Sequence, residues 1–527
     1  MPLEPIHEID LDPSEADTRR LLIDTQLSNV GWIKGKDWFE EQELRGMPNS
    51  KGVGFADYVL FHDKEPYAVV EAKRTSVDPF KGQQQAKLYA DLLEKKYAFR
   101  PLIFLTNGYD TYVWDDGPRG SDVRKISGVY SKADLRKYFN LRSKRISFAG
   151  FIPNKDIADR WYQTAAVKEV CKVVENNGRK ALLVMATGSG KTRVAFSIIQ
   201  ALVSHNYVKN VLFLADRLKL VSQPYGRFRL MFKDDIKATN LCLDDHNDSA
   251  QVVFSTYQTM RNIIDKARNN ENELVFTPGH FDLIITDEAH RSIYRKFKSI
   301  FDYFDAFILG LTATPKSDIH RDTYQFFNLP KDMPTYAYEY SQGVKDGHLV
   351  DYKVVKTSLN LVHEGVYYFD LTPEQQEQYE EIFIDDFGNF HDFIPGSQVN
   401  KKLFNTPTIE LVLKELMSKG LRIKYGTQIG KTIIFAKNHK HALKIREVFY
   451  SLYPTYSQDF CRVIDYETKY VDSLMDDFDD PDKEPVIAIS VDMLDTGVDI
   501  EEILNLVFFK EVYSKSKFLQ MIGRGTR

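Results

Sequence analysis

The stretch ALLVMATGSGKTRVAFSIIQALV, residues 181–203, decides how this chain is read. It opens on an unbroken apolar run, passes through a short glycine-bearing turn and continues as a helical segment from Thr192. A strand that enters a helix through such a turn is built to hold phosphate. Glycines let backbone N–H groups close around the oxygens, and the helix N-terminus adds its partial positive charge. Thr187, Gly188, Ser189 and Gly190 would form the cradle. Lys191 would reach the β- and γ-phosphates of ATP, and Thr192 would hold Mg2+ through its hydroxyl. The usual spacing pattern GxxxxGK[ST] is met except at its first position, where Met185 stands in place of glycine.

Working outward, a second apolar strand, DLIITDEAH at 282–290, ends in two carboxylates about 95 residues downstream. Asp287 would hold the Mg2+, directly or through water, and Glu288 would orient and deprotonate an attacking water. Between and beyond these segments, short apolar strands alternate with helices: VLFLAD, VVFST and AFILGLTA. That alternation predicts a parallel sheet wrapped by helices. A second set, KTIIFAK, VIAIS and NLVFFK, begins after about residue 335. The basic segment LRKYFNLRSKRISF, 135–148, reads as a boundary. The expected organisation is therefore a small α/β domain over 1–148, a first larger α/β lobe over 149–335 and a second over 336–527.

Composition agrees with several cores. The chain has 527 residues, 43% hydrophobic and 28% charged, with a net charge of −5. Any phosphate contact must then come from local basic patches. Three well-separated cysteines, Cys171, Cys242 and Cys461, carry no CxxC pair, which argues against a disulfide framework or zinc ribbon and fits a reducing, cytoplasmic setting. The acidic N-terminus does not resemble a signal peptide. No run of about 20 apolar residues exists to span a membrane. The acidic segment DSLMDDFDDPDKEP reads as a solvated helix end and loop.

The small first domain holds a different pattern. Residues 54–74, GFADYVLFHDKEPYAVVEAKR, read as a β-hairpin. If Phe61 pairs with Tyr67 across the turn, Asp57 falls opposite Glu71, and Lys73 shares Glu71's face. The alternate face, Tyr58, Leu60, Ala68, Val70 and Ala72, suits burial. Two carboxylates at close range repel unless a cation or proton lies between them. Mg2+ held by Asp57 and Glu71 could polarise a phosphodiester, with Lys73 positioning water or offsetting developing charge. The next helix sets Gln85 and Tyr89 four residues apart on one face. Glu15, on an opening helix that Ser14 would cap, is a candidate further carboxylate; the simpler reading is a favourable charge at a helix N-terminus.

From about residue 160 onward the chain resembles the superfamily 2 helicases and translocases. RWYQ resembles their adenine-reading glutamine motif, with Gln163 the candidate. FLADRLKLVSQ and VVFSTYQTM resemble segments that touch a nucleic-acid strand. DEAH, ending at His290, resembles their second ATPase motif. GLTATP resembles the coupling motif, carried by Thr312 and Thr314, and DMLDTGVDI resembles motif V, with Gly497 and Asp499. QMIGRGTR resembles motif VI, whose arginines, here Arg524 and Arg527, would reach the γ-phosphate. The hairpin with Gln85 and Tyr89 resembles the D…ExK/QxxxY arrangement of nucleases attached to DNA motors.

Taken together, the order of these parts resembles the motor (R) subunit of type I restriction enzymes; type III subunits place the nuclease after the motor. The resemblance implies an α/β chain with an N-terminal restriction-endonuclease-like domain and two RecA-like lobes. It implies a double-stranded DNA translocase and Mg2+-dependent endonuclease that uses ATP and works with methyltransferase (M) and specificity (S) subunits. S-adenosylmethionine, if required, would bind a partner, and no membrane is involved. Because the chain stops inside motif VI, the second lobe is expected to continue past Arg527. A helicase or repair translocase whose N-terminal domain only binds DNA is the second reading.

Overall fold

The computed structural model describes residues 14–117, 120–233, 235–243, 250–264, 266–268, 273–287, 296–314, 318–355, 366–367, 369, 376, 393–394, 406–494, 500, 502–510 and 512–526. Two compact units result: residues 1–184, 190–312 and 319–337 in one, and 185–189, 313–318 and 338–527 in the other.

The first unit opens on a helix, α1, that runs Glu15–Thr18, widens into a π turn over Arg19–Ile23 and continues Asp24–Asn29. The Ser14 hydroxyl caps it by accepting the Asp17 N–H at 3.1 Å, as its sequence position predicts. A six-stranded sheet follows: β1 (Trp38–Arg45), β2 (Val53–His62), β3 (Glu65–Ala72), β4 (Leu102–Thr106), β5 (Thr111–Asp115) and β6 (Ser121–Ile126), hydrogen-bonded in chain order. All pairs are antiparallel except β3 with β4. A parallel pair needs a crossover, and helix α2 (Gln83–Tyr97) supplies it. One sheet face packs Tyr58, Leu60, Ala68, Val70 and Ala72 with Ile23 and Leu27 of α1. The other packs Val59 and Val69 under Tyr89 and Leu93 of α2. With both faces covered, β3 is buried from Pro66 to Ala72.

Two expectations need correction. Across the hairpin turn Phe61 pairs with Pro66, not Tyr67, because the register shifts between Leu60 and Phe61. Past that irregularity Leu60–Ala68, Val59–Val69 and Tyr58–Val70 pair, and continuing that register sets Asp57 opposite Glu71, as expected. The basic segment 135–148 is not a simple boundary. Most of it lies in helix α3 (Lys132–Lys144), whose Leu135 and Phe139 enter the core of the first sheet. Basic residues dominate its composition, but its apolar positions recur every four residues, and that spacing sets the burial.

Helix α4 (Trp161–Glu175) leads into a seven-stranded sheet. Its strands are β7 (Lys180–Met185), β8 (Val211–Ala215), β9 (Ala238–Asn240), β10 (Val252–Thr256), β11 (Leu283–Thr286), β12 (Phe307–Thr312) and β13 (Tyr336–Tyr338). The order is β13-β7-β12-β11-β8-β10-β9, and β7 through β12 pair in parallel. Helices α5 (Lys191–Ser204), α6 (Leu218–Phe232), α7 (Tyr257–Ile263) and α8 (Lys298–Tyr303) connect the strands. Near-continuous apolar runs are what a parallel sheet covered on both faces requires.

In the second unit, helix α9 (Thr406–Lys419) precedes a four-stranded parallel sheet of β14 (Lys431–Phe435), β15 (Cys461–Ile464), β16 (Ile487–Ser490) and β17 (Ile503–Phe508), ordered β15-β16-β14-β17. Helix α10 (His439–Leu452) joins β14 to β15, and α11 (Lys515–Ile522) follows β17. No helix among the described residues is long and apolar enough to cross a membrane.

Candidate functional site

In the first sheet, Asp57 stands on β2, Glu71 on β3, and Lys73 one residue past the end of β3. The Lys73 ammonium donates to Glu71 Oε1 at 2.6 Å and to the Ala72 carbonyl at 2.9 Å. The Ala72 N–H donates to Asp57 Oδ2 at 2.7 Å. The three charged groups thus converge, as alternation along the hairpin predicts. Both strands lie inside the six-stranded sheet and not at its edge. Glu71 is 1% exposed, and its Oε2 has no hydrogen-bond partner among the described residues. Burial, then the Asp57 charge, push the Glu71 carboxyl up to about 7; the Lys73 ammonium opposes this. Burial also raises Asp57 above the ordinary carboxylate range, against the Ala72 N–H, Lys73 and Arg19.

Buried Glu71, with an unpaired oxygen, and half-buried Asp57, both with carboxyls raised above the ordinary range, form a pair whose chemistry fits a divalent cation. No group of three or more His, Cys, Asp or Glu with metal-binding geometry occurs among the described residues. Glu15 adds its negative field to Asp57, Glu71 and Lys73.

Helix α2 packs on the sheet face that carries Asp57 and Glu71, against Val59 and Val69. Gln85 Nε2 donates to the Tyr89 hydroxyl at 2.6 Å, so the two residues four apart act as a pair. Burial and the nearby Glu71 and Asp57 charges raise the Tyr89 phenol. Gly82, just before α2, is required by close approach: a Cβ there would lie 2.3 Å from Glu71 Cγ. Sequence reading missed Gly82, and it missed Arg19, whose Nη1 reaches Asp57 Oδ1 at 3.2 Å. The only trace of Arg19 in sequence is a basic pair on a helix that otherwise reads as amphipathic packing.

The second set of residues gathers at the carboxyl ends of adjacent strands, where open parallel sheets bind ligands. Thr312, ending β12, pairs with Val184 of β7, and Thr286 of β11 pairs with Gly310 of β12. Lys191 and Thr192 therefore open α5 near the same sheet end as Asp287, which follows β11. The Asp287 N–H donates to the Leu214 carbonyl at 3.0 Å. Gly188 and Gly190 adopt φ of +80° and +83°, a conformation costly for any other residue. Met185 is fully buried within β7, so no glycine is needed at that first position. Gln163, 2% exposed, turns toward the loop: a Cβ on Gly190 would stand 2.5 Å from its Nε2. In the second unit, the Ser189 hydroxyl donates to the Ala186 carbonyl at 2.7 Å, and a Cβ on Gly523 would stand 2.5 Å from Thr187 Cβ. Arg524 and Thr314 are buried in that same unit. Glu288, His290, Gly497, Asp499 and Arg527 lie outside the described residues.

A mixed sheet on which Asp57, Glu71 and Lys73 converge, followed by parallel sheets with a glycine-bearing turn between β7 and α5, is the architecture expected of a restriction-endonuclease-like domain joined to a helicase-like ATPase. Comparison with known proteins agrees. Residues 44–149 match the family described as type I restriction enzyme EcoKI endonuclease subunit second domain, and residues 156–317 match that described as type III restriction enzyme, res subunit. The EcoAI endonuclease subunit of Escherichia coli is 29% identical over 98% of this chain and 64% of its own length. The EcoKI endonuclease subunit of E. coli K12 is 27% identical over 98% of this chain and 51% of its own. A fragment structure described as an HsdR subunit of a type I restriction enzyme, from Vibrio vulnificus YJ016, superposes with a TM-score of 0.51 at 26% identity, covering 98% and 91% of the two chains. The chain is a homologue of the endonuclease subunits of type I restriction enzymes. It spans about half to two thirds of the length of these two E. coli relatives.

Proposed function

We propose that this chain is the restriction subunit of a type I restriction-modification complex: an ATP-driven double-stranded DNA translocase joined to a Mg2+-dependent endonuclease. The observation that carries the reading is the convergence of Asp57, Glu71 and Lys73 on one buried strand pair, in a chain that also carries a phosphate loop. Asp57 and Glu71 would hold the Mg2+, which would supply Lewis-acid activation of the phosphodiester and of water. Lys73, already bonded to Glu71, would place its ammonium where negative charge develops at the scissile phosphate. Gln85 and Tyr89 would fix the roof of the site.

At the ATP centre, Thr187 to Gly190 and Lys191 would bind the phosphate chain, Thr192 and Asp287 would hold its Mg2+, and Gln163 would read the base. Glu288 would take the proton of the attacking water; Arg524 and Arg527 would stabilise the γ-phosphate in transfer. His290, Thr312, Thr314, Gly497 and Asp499 would relay nucleotide state to bound DNA. Methyltransferase and specificity subunits would supply target recognition, and the complex would act in the cytoplasm.

The test measures ATP hydrolysis and DNA cleavage side by side in the assembled complex. Lys191→Ala abolishes both hydrolysis and translocation-dependent cutting. Asp57→Ala or Lys73→Ala abolishes cutting and leaves hydrolysis at the wild-type rate. Unchanged cutting by Asp57→Ala would remove the nuclease from this account, and stimulation of hydrolysis by RNA in preference to duplex DNA would remove the restriction reading.

A further inference from the structure

The nuclease centre contains a cation that its D…ExK pattern does not include. Arg19 sits where α1 widens into its π turn, a local departure from α geometry common at functional positions. Its side chain is 17% exposed. Nη1 donates to Asp57 Oδ1 at 3.2 Å, and Nη2 reaches Glu41 Oε1 at 3.4 Å. Glu41 has a backbone φ of +49°, rare for a residue with a side chain. It lies between two residues of β1, Glu40 and Gln42, that pair with Tyr58 and Ala56 of β2, so it neighbours Asp57 across the strands. Its side chain is 67% exposed. Arg19 thus bridges the half-buried Asp57 and a wet carboxylate outside the pair.

We propose that Arg19 is a resident counter-ion of the nuclease centre, a positioning residue that holds Asp57 until a divalent cation takes its place, with Glu41 as the carboxylate that retains it afterwards. This rests on the nuclease reading. Asp57 Oδ2 is engaged by the Ala72 N–H and Glu71 Oε1 by Lys73. That leaves the buried, unpaired Glu71 Oε2 and the Asp57 oxygen that Arg19 holds, so a divalent cation drawn to this pair would compete with the guanidinium for Asp57. Like charges at such range oppose each other, so the guanidinium lowers the site's affinity for metal. Arg19 would keep the centre charge-compensated and inactive at low metal, and its tether to Glu41 limits how far it must move.

The test is a calorimetric titration of the whole chain with Ca2+ alone, paired with the Mg2+ dependence of DNA cleavage in the assembled complex. Removing one positive charge near the cation, discounted for partial exposure, tightens Ca2+ binding by Arg19→Gln roughly tenfold. The Mg2+ concentration for half-maximal cleavage falls in step, and Arg19→Lys restores wild-type binding. Glu41→Gln, which leaves Arg19 to Asp57 alone, weakens Ca2+ binding severalfold. Ca2+ binding by Arg19→Gln equal to or weaker than wild type, in a chain with unchanged thermal unfolding, overturns the proposal. So does Glu41→Gln binding as tightly as wild type, which tests the idea independently if Arg19→Gln does not fold. Wild-type Ca2+ binding that Asp57→Ala leaves intact would instead overturn the nuclease reading itself.

Discussion

Asp305 offers the sharpest test of how the first unit is held together. It lies between α8 and β12 of the seven-stranded sheet, yet its partners come from both sheets of the unit. Arg124 of β6 binds it through Nε at 3.0 Å to Oδ1 and 2.9 Å to Oδ2, and through Nη2 at 2.7 Å to Oδ2. Arg179, just before β7, reaches Oδ1 at 2.5 Å, and the Tyr130 hydroxyl also bonds Oδ2. The Asp305 side chain is 8% exposed. Burial works against its charge, but the two guanidiniums win and hold the carboxyl well below the usual range.

Asp305→Asn keeps the shape and leaves Arg124 buried without its counter-charge. Breaking one partner of a buried pair costs about 3 to 5 kcal/mol. In a unit of this size that lowers Tm by roughly 5 to 10 °C. Intrinsic tryptophan fluorescence reads the effect locally, since the Trp32 indole donates to the Tyr130 carbonyl at 2.8 Å. The pH dependence fixes the cause. Because the folded-state pKa is depressed, the stabilisation is complete above the unfolded value of about 4 and is lost as pH falls through the folded value. The gap between wild type and Asp305→Asn is therefore largest at neutral pH and shrinks below about pH 4. A double variant, Asp305→Asn with Arg124→Met, loses less than the sum of its parts, by at least about 1 kcal/mol. Asp305→Asn within about 0.5 kcal/mol of wild type at pH 7, or a deficit that persists unchanged at pH 3, would refute the reasoning.

Other expectations follow from the nuclease centre. Glu71 carries a folded-state pKa of about 7, above its unfolded value. Its burial therefore destabilises the metal-free protein increasingly as pH rises from about 4.5 through 7. Glu71→Gln removes that penalty, raising stability in chelator at pH 8 by about 1 to 3 kcal/mol and by little at pH 4, measured by urea unfolding. Gly82→Ala forces a methyl against Glu71 Cγ, displaces the carboxylate and lowers cleavage at least tenfold while ATP hydrolysis stays within twofold; both are read in the assembled complex.

Much of this protein was legible in one dimension. The strand–turn–helix around Lys191 is a local matter, since glycine's tolerance of positive φ and the apolar runs on either side need no distant partner. The parallel strands announced themselves because strands buried on both faces cannot alternate polar with apolar residues. The convergence of Asp57 with Glu71 followed from the two-residue period of a strand. The pairing assumed at the turn, Phe61 with Tyr67, was displaced by a local irregularity that side-chain pattern does not encode. The basic segment at 135–148 misled because charge was weighed above the spacing of Leu135 and Phe139.

What only the tertiary structure decided lies where distant segments meet. Arg19 and Asp57 are 38 residues apart, Arg124 and Asp305 are 181 apart. Such charges look like ordinary solvated surface in the sequence, because hydration satisfies an arginine or aspartate as well as a partner does until folding removes the water. Only when packing buries them does each require a specific counter-charge. The sequence therefore determined which elements form and which short motifs carry chemistry, while the fold determined which charges lost their water and so had to find one another.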